Sequence, residues 1–294
     1  MLKSKPIDSL LDRDSVAAGL FLAPALILLG IFLFYPIVYL FYLSFTAGSF
    51  TVSGIQWVGD RNYLRLFTDV DFWQVIGNTA YFTIATVIPT IIIPLVLAVL
   101  LNRSALRGFL RAAYFIPSIT SLVAVGLAFR WLFQTDGPIN NFLLLWDVDP
   151  IPWLSSTVWA MPVLILLSSW KQLGFNLVVF LAGLQVIPHS RYEAAELDGA
   201  NDLLKFWYIT IPGLKPTLIF AVITTAIFTL RSFEQVYIIT GGGPLNSTNV
   251  LVYYIYEQAF SRFDFGYAAA AATVLLAIAF VFVYFYLRIG KENY

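Results

Sequence analysis

Three ionisable residues stand in stretches that are otherwise apolar. Lys171 lies in Ser168-Ser169-Trp170-Lys171-Gln172-Leu173-Gly174-Phe175-Asn176, and Arg231 and Glu234 follow Thr224-Thr225-Ala226-Ile227-Phe228-Thr229-Leu230. A charge at a bilayer centre costs roughly 2.5–3.5 kcal/mol on insertion scales, so such residues face a cavity or a partner. At helical spacing Ser168, Lys171, Gln172 and Phe175 share one face, and Thr225, Thr229 and Ser232 share another. Hydroxyls, an amide and an aromatic ring facing one another suit a polyhydroxylated solute. Hydrogen bonds would take its hydroxyls, and ring faces its C–H surface. Two plainer readings stand beside this one. Ser and Thr commonly bond neighbouring helices in membrane bundles, and Arg231 with Glu234, three residues on, can form a structural pair.

A second polar constellation is Glu193-Ala194-Ala195-Glu196-Leu197-Asp198-Gly199-Ala200, followed by Ile209-Thr210-Ile211-Pro212. Pro188 fits the first turn of a helix, where its missing N–H costs nothing. His189 to Leu197 is helix-compatible, and Glu193 and Glu196 favour the helix dipole. Gly199 stops that helix because glycine reaches positive φ cheaply. Asn201 is an N-cap for a second helix running to Ile209, with Pro212 expected to end it. Ala194 and Ala195 leave a flat face that another backbone can approach. The hairpin is either a grip for a soluble partner or an inert connection.

The elements that position these residues follow from composition. With 60% apolar and 12% charged residues and a mean hydropathy of +0.81, the 294-residue chain is one polytopic membrane domain, 1–294. The absence of Cys removes disulfides and thiolate metal sites, and a single His, His189, removes a multi-histidine site. His189 reads as a surface residue. A span needs about 20 apolar residues. Six runs qualify: 16–43, 75–101, 111–133, 157–187, 217–240 and 267–287. The first is too long for a signal-peptide core of roughly 7–15 residues. Lys3, Lys5, Arg13, Arg103, Arg107, Arg111, Arg191, Lys205, Lys215, Arg288 and Lys291 fall on one side of these runs, against Arg61, Arg65, Arg262 and Arg130. The positive-inside rule puts both termini and the 188–212 loop in the cytoplasm. On the other side, Gln56–Trp73 reads as an aromatic interfacial segment, and Gly241-Gly242-Gly243-Pro244 terminates the fifth run.

Glu-Ala-Ala, three residues, Gly, nine residues, Ile, one residue and Ile-Pro resembles the signature loop of ATP-binding-cassette (ABC) importer permeases, with Ile211 where that family usually has Leu. Leu184-Gln185-Val186-Ile187-Pro188, Asp198-Gly199-Ala200, Thr240-Gly241-Gly242-Gly243-Pro244, Tyr253 and Tyr256 with Ala259-Phe260, and Gly266-Tyr267-Ala268-Ala269 are similar to the maltose and glycerol-3-phosphate branch. The resemblance implies an all-α, six-span integral membrane protein of the type I ABC importer permease fold, in a bacterial inner membrane. It implies a second permease subunit, two ATPase subunits carrying ATP and Mg, an extracytoplasmic solute-binding protein and a sugar-like solute as partners. It further implies that Tyr192, Glu193, Ala194, Ala195, Leu197, Asp198 and Gly199 form the ATPase-coupling helix, and that Ser168, Lys171, Gln172, Phe175, Thr225, Thr229 and Ser232 occupy substrate-contact positions. The residue types mostly differ from the maltose subunit's. Gly241–Pro244 is then a contact loop for the binding protein, or merely a helix terminator.

The chain lacks the G-x-x-x-x-G-K-[ST] pattern, so it is expected to bind no cofactor and to hydrolyse no ATP itself. No basic cluster suggests nucleic acid. A secondary, ion-coupled transporter is the competing class. It would use Lys171, Arg231 and Glu234 as a relay, but no internal repeat is visible. A membrane-embedded enzyme lacks its motifs.

Overall fold

The computed structural model of the chain describes residues 8–48, 54–102 and 107–291, and helix dominates them. Lys3, Lys5 and Arg103, used above for orientation, lie outside these residues. Four helices are long and apolar enough to cross a bilayer unaided: Ala18–Leu43, Val70–Asn102, Ala160–Val186 and Phe265–Phe285. Two bent pairs raise the number to six. Gly108–Ile119 meets Leu122–Leu132 at 89°, and Asp202–Gly213 meets Lys215–Leu230 at 67°.

The third run is therefore not the straight rod that its hydropathy predicts, and the fifth, which begins beyond the 67° bend at Leu214, has a break of its own at residues 231–233. In the third, Pro117 withdraws a backbone donor near the end of Arg107–Ile119. Ser121, with ψ 127°, then caps the new helix Leu122–Leu132. In the fifth, Lys215–Leu230 stops, Arg231 and Phe233 leave regular helical geometry, and Glu234–Ile239 restarts. No proline or glycine marks that second break.

Two prolines do the opposite of what composition suggests. Pro36 and Pro212 sit in continuous helix, each just after a π-turn, Gly30–Phe34 and Phe206–Thr210. The N–H groups of Tyr35 and Ile211 reach back five residues, to the carbonyls of Gly30 and Phe206. The wider turn eases the clash between the proline ring and the carbonyl four residues earlier. Pro212 consequently does not end the second hairpin helix. The helix runs to Gly213, and the chain turns at Leu214 (φ −88°, ψ 0°).

The second, fourth and fifth spans share a core that includes Ile91, Leu95, Leu177, Phe180, Leu184 and Ala221. Their backbones approach closely where side chains are smallest. A Cβ on Gly174 would lie 2.2 Å from the Tyr114 carbonyl oxygen, so only glycine lets the third and fourth spans meet there. Asn176 is fully buried and donates to the Thr90 carbonyl (2.9 Å) and the Thr225 hydroxyl (3.0 Å), tying the second, fourth and fifth spans together.

A separate core at the end remote from the hairpin joins Leu66, Phe72, Val75, Leu251, Tyr254 and Tyr267. Asp69 there accepts from the hydroxyls of Tyr267 (2.6 Å) and Tyr254 (3.1 Å). Burial works to raise its pKa, but the two hydroxyls, with backbone N–H donors, outweigh that and hold it below the ordinary value.

Candidate functional site

The two unplanned breaks face the fourth span near the middle of Ala160–Val186, and a cavity of about 550 Å³ opens between them. That volume lies within the roughly 300–1,000 Å³ of small-molecule sites. Irregular backbone at membrane depth is tolerated only where it is buried in protein or lines a cavity, which is the arrangement here. Ser168, Lys171, Gln172, Phe175 and Ser232 all line this space. Thr225 and Thr229 do not join them. They are 1% and 2% exposed; Thr225 accepts from Asn176, and Thr229 donates to the Ala226 carbonyl at 2.8 Å. The reason is the break after Leu230: Ser232 lies beyond the helix end, off the face that carries the two threonines.

Lys171 has a structural task. Its ammonium donates to the Thr120 carbonyl at the break in the third span. That carbonyl lies at the negative end of Arg107–Ile119, where a cation is well placed. Ser118 returns a hydrogen bond from its hydroxyl to the Lys171 carbonyl at 2.9 Å, so the fourth span splints the third. Glu234 shares the cavity wall with Lys171. Among the described residues no ion pair joins Glu234 to Arg231, because the break removes the three-residue helical spacing. Both side chains face the cavity instead.

Further lining residues have no signature in the sequence. Gln235 is buried and donates to the Ser168 hydroxyl at 3.1 Å, while Ser168 donates to the Leu164 carbonyl at 2.8 Å. Phe115, Phe228 and Phe233 add ring surface, and Phe228 meets Phe175 edge-on with centroids 6.4 Å apart. The break orients all of these, and nothing in their local spacing announces it. The cavity thus offers hydroxyl and amide groups, a guanidinium, a carboxylate and several ring faces. Such a wall can bind a solute with polar edges and C–H faces.

At the other end of the core stands the hairpin. Pro188 is the N-cap rather than a first-turn residue, and the helix runs His189–Leu197. Gly199 adopts φ +79°. Its N–H donates to the Glu196 carbonyl (3.0 Å), and the Ala200 N–H to the Ala195 carbonyl (2.8 Å). This is the paired closure of a Schellman end. The Asn201 side chain then accepts from the Leu204 N–H at 2.9 Å. Lys205 clamps the two helices, reaching Glu196 at 2.8 Å and Asp202 at 3.0 Å. Its pKa is raised, first by the hydrogen bond to Glu196 and then by that to Asp202.

The seven hairpin positions divide by direction. Tyr192 is half-buried, packs on the three-span core and shares a 2.9 Å hydrogen bond with the Thr210 hydroxyl; Ala195 is also half-buried. Glu193, Ala194, Leu197, Asp198 and Gly199 are exposed, with Leu197 at 90%. His189 lies on the surface, 2.9 Å from Glu193.

Comparison with known proteins gives concordant results. Residues 90–291 match the family model described as binding-protein-dependent transport system inner membrane component. The chain is 40% identical over 251 residues to the lactose transport system permease protein LacF of Rhizobium radiobacter, covering 83% of this chain and 84% of that one. It is 39% identical over 258 residues to the sulfoquinovosyl glycerol transport system permease protein SmoG of Agrobacterium fabrum, covering 86% and 83%. Among solved structures it resembles a chain of a bacterial alginate ABC transporter in complex with an alginate pentasaccharide-bound periplasmic protein. The TM-score is 0.82 at 25% identity, over 98% of each chain.

Proposed function

The chain belongs to the inner membrane components of binding-protein-dependent transport systems and has the type I ABC importer permease fold, and from this we propose that it forms half of a sugar pathway driven by separate ATPases. The solute is an oligosaccharide or another sugar-like molecule rich in hydroxyls. LacF and SmoG, with sugar systems in their names, support that class. A second permease subunit would complete the pathway, and an extracytoplasmic binding protein would deliver the solute. Two ATPase subunits would bind ATP and Mg, and both termini and the hairpin would face the cytoplasm of a bacterial inner membrane.

One observation carries this reading: a stiff hairpin is packed on the same helix that lines the cavity. Tyr192, Phe206, Ile209 and Ile211 press on the core containing Leu177, Phe180 and Leu184, and the fourth span continues to Phe175 and Lys171. Leu184 and Phe175 are about 14 Å apart along the helix axis, at 1.5 Å per residue. Close-packed interiors transmit displacement rather than absorb it. A push on the exposed face of Glu193, Ala194 and Leu197 therefore arrives at the cavity as a shift of the fourth span against the two broken ones. Ser168, Gln172, Phe175, Lys171 and Ser232 are the proposed solute-facing residues; Thr225 and Thr229 support them from behind.

The test is reconstitution. Purified with its partners, the complex should hydrolyse ATP faster when loaded binding protein is added, and should accumulate the sugar. The chain alone, accumulating sugar on an ion gradient, would refute the proposal and restore the secondary-transporter class.

A further inference from the structure

We propose that Phe233, Tyr237, Tyr253, Tyr256 and Phe260 form a second sugar-binding surface, an aromatic ladder that receives glycosyl units at the outer face and leads into the cavity. The inference rests on the sugar reading above and adds a site to it.

Phe233 is the junction. It lines the cavity, and its ring centroid lies 4.9 Å from Tyr256, 5.4 Å from Tyr237 and 6.1 Å from Tyr253. Tyr256 continues to Phe260 at 5.3 Å. Two short helices set the array. Phe233 and Tyr237 are one turn apart at the start of Glu234–Ile239, and Tyr253 and Tyr256 share a face of Leu251–Tyr256. Tyr254, between them, turns the other way and is 2% exposed against Tyr267. The glycine run makes room for the ladder: a Cβ on Gly242 would lie 2.8 Å from the Tyr253 ring.

The surface is open and its chemistry is mixed. Tyr237 is 52% exposed and Phe260 61%. Tyr256 meets Tyr237 edge-on with centroids 5.7 Å apart, and the Glu257 carboxylate is held by Asn249 (3.2 Å) and Arg262 (3.2 Å). Tyrosines do line membrane interfaces as headgroup-level anchors. A lipid-facing belt, however, has no cause to run ring against ring into a cavity whose wall carries Arg231 and Glu234. Negative ring faces bordered by hydroxyls match the C–H faces and hydroxyl edges of a glycan. A ladder outside the cavity would favour chains of several sugar units over single ones.

The chain contains no Cys, so Tyr237→Cys, Tyr256→Cys and Phe260→Cys each introduce a single thiol into it. Each variant is assembled with its ATPases and binding protein in proteoliposomes. A panel of lactose, sulfoquinovosyl glycerol and longer oligosaccharides supplies the probe, namely the member that most stimulates ATP hydrolysis. Labelling with a membrane-impermeant maleimide during turnover is expected, slowed several-fold by that sugar. Tyr237→Ala should raise its half-saturating concentration by about two- to tenfold, the worth of one aromatic contact, and Tyr237→Phe should not. Labelling without sugar protection would make the array a solvent or lipid face. Failure to label under either condition would bury it against the second permease subunit. Either result overturns the ladder while wild-type import leaves the parent reading standing. If no panel sugar stimulates the wild type, the sugar reading falls and takes the ladder with it.

Discussion

The hairpin and the cavity are both places where helices stop, and they stop for different reasons. In the hairpin each stop is closed by its own neighbours: Gly199 and Ala200 satisfy the carbonyls of the helix they end, and Asn201 caps the next. At the cavity the third span's stop is closed from a distance, the Thr120 carbonyl by Lys171, 51 residues along the chain, whereas the fifth span's stop is closed by the N–H groups of Arg231 and Ser232. Local closure makes a stiff element, as the proposed coupling role requires. Closure from another span makes a joint that opens when that span moves. A transporter needs one of each.

The largest effect should come from wedging the joint. Gly174→Val places a branched side chain where even a Cβ would meet the Tyr114 carbonyl at 2.2 Å. Overpacking of this kind costs about 1–3 kcal/mol or more. Thermal denaturation of the detergent-solubilised complex should show a marked loss of stability, and wild-type stability would disprove the close approach. Next comes Lys171→Met, which takes a charged donor from the half-buried Thr120 carbonyl, a loss of about 1.5–3 kcal/mol. Lys171→Arg, keeping a charged donor, should recover most of the thermal stability. If Met and Arg behave alike, Lys171 is not the splint described here.

On the hairpin side the effects should be smaller in stability and visible in coupling. A non-glycine residue in the left-handed conformation costs about 1–2 kcal/mol. A Cβ on Gly199 meets no neighbour within 4 Å, so Gly199→Val disturbs nothing but the turn and the docking face. The ratio of sugar imported to ATP hydrolysed should fall while the complex still assembles; an unchanged ratio would count against a coupling role. Asn201→Ala should cost the least, about 1 kcal/mol for a lost N-cap. Slightly faster hydrogen exchange at Leu203 to Lys205 would register it, and unaltered exchange would mean the cap contributes nothing.

The hairpin was therefore legible almost residue by residue, since Gly199, Asn201 and the helix His189–Leu197 follow from chemistry within a few positions. Its main error, the stop at Pro212, came from a π-turn that spares the proline its usual clash. The cavity was legible in part. Helical spacing brought Ser168, Lys171, Gln172 and Phe175 to one wall. It carried Thr225 and Thr229 along with Ser232 because it had no means of seeing that the fifth span ends at Leu230.

By itself the sequence determined the solvent of this protein, the spacing of its apolar runs and the polar elbow between the fourth and fifth. Hydrophobic length, capping and glycine conformation act over a few residues, and those terms are written in order along the chain. Tertiary structure alone decided that the fifth span breaks after Leu230, that Lys171 closes the break in the third, and which polar side chains look into the space between them. The closure by Lys171 and the placing of Gln235 on Ser168 turn on hydrogen-bond partners that lie in other helices. No window of neighbouring residues contains both halves of such a bond.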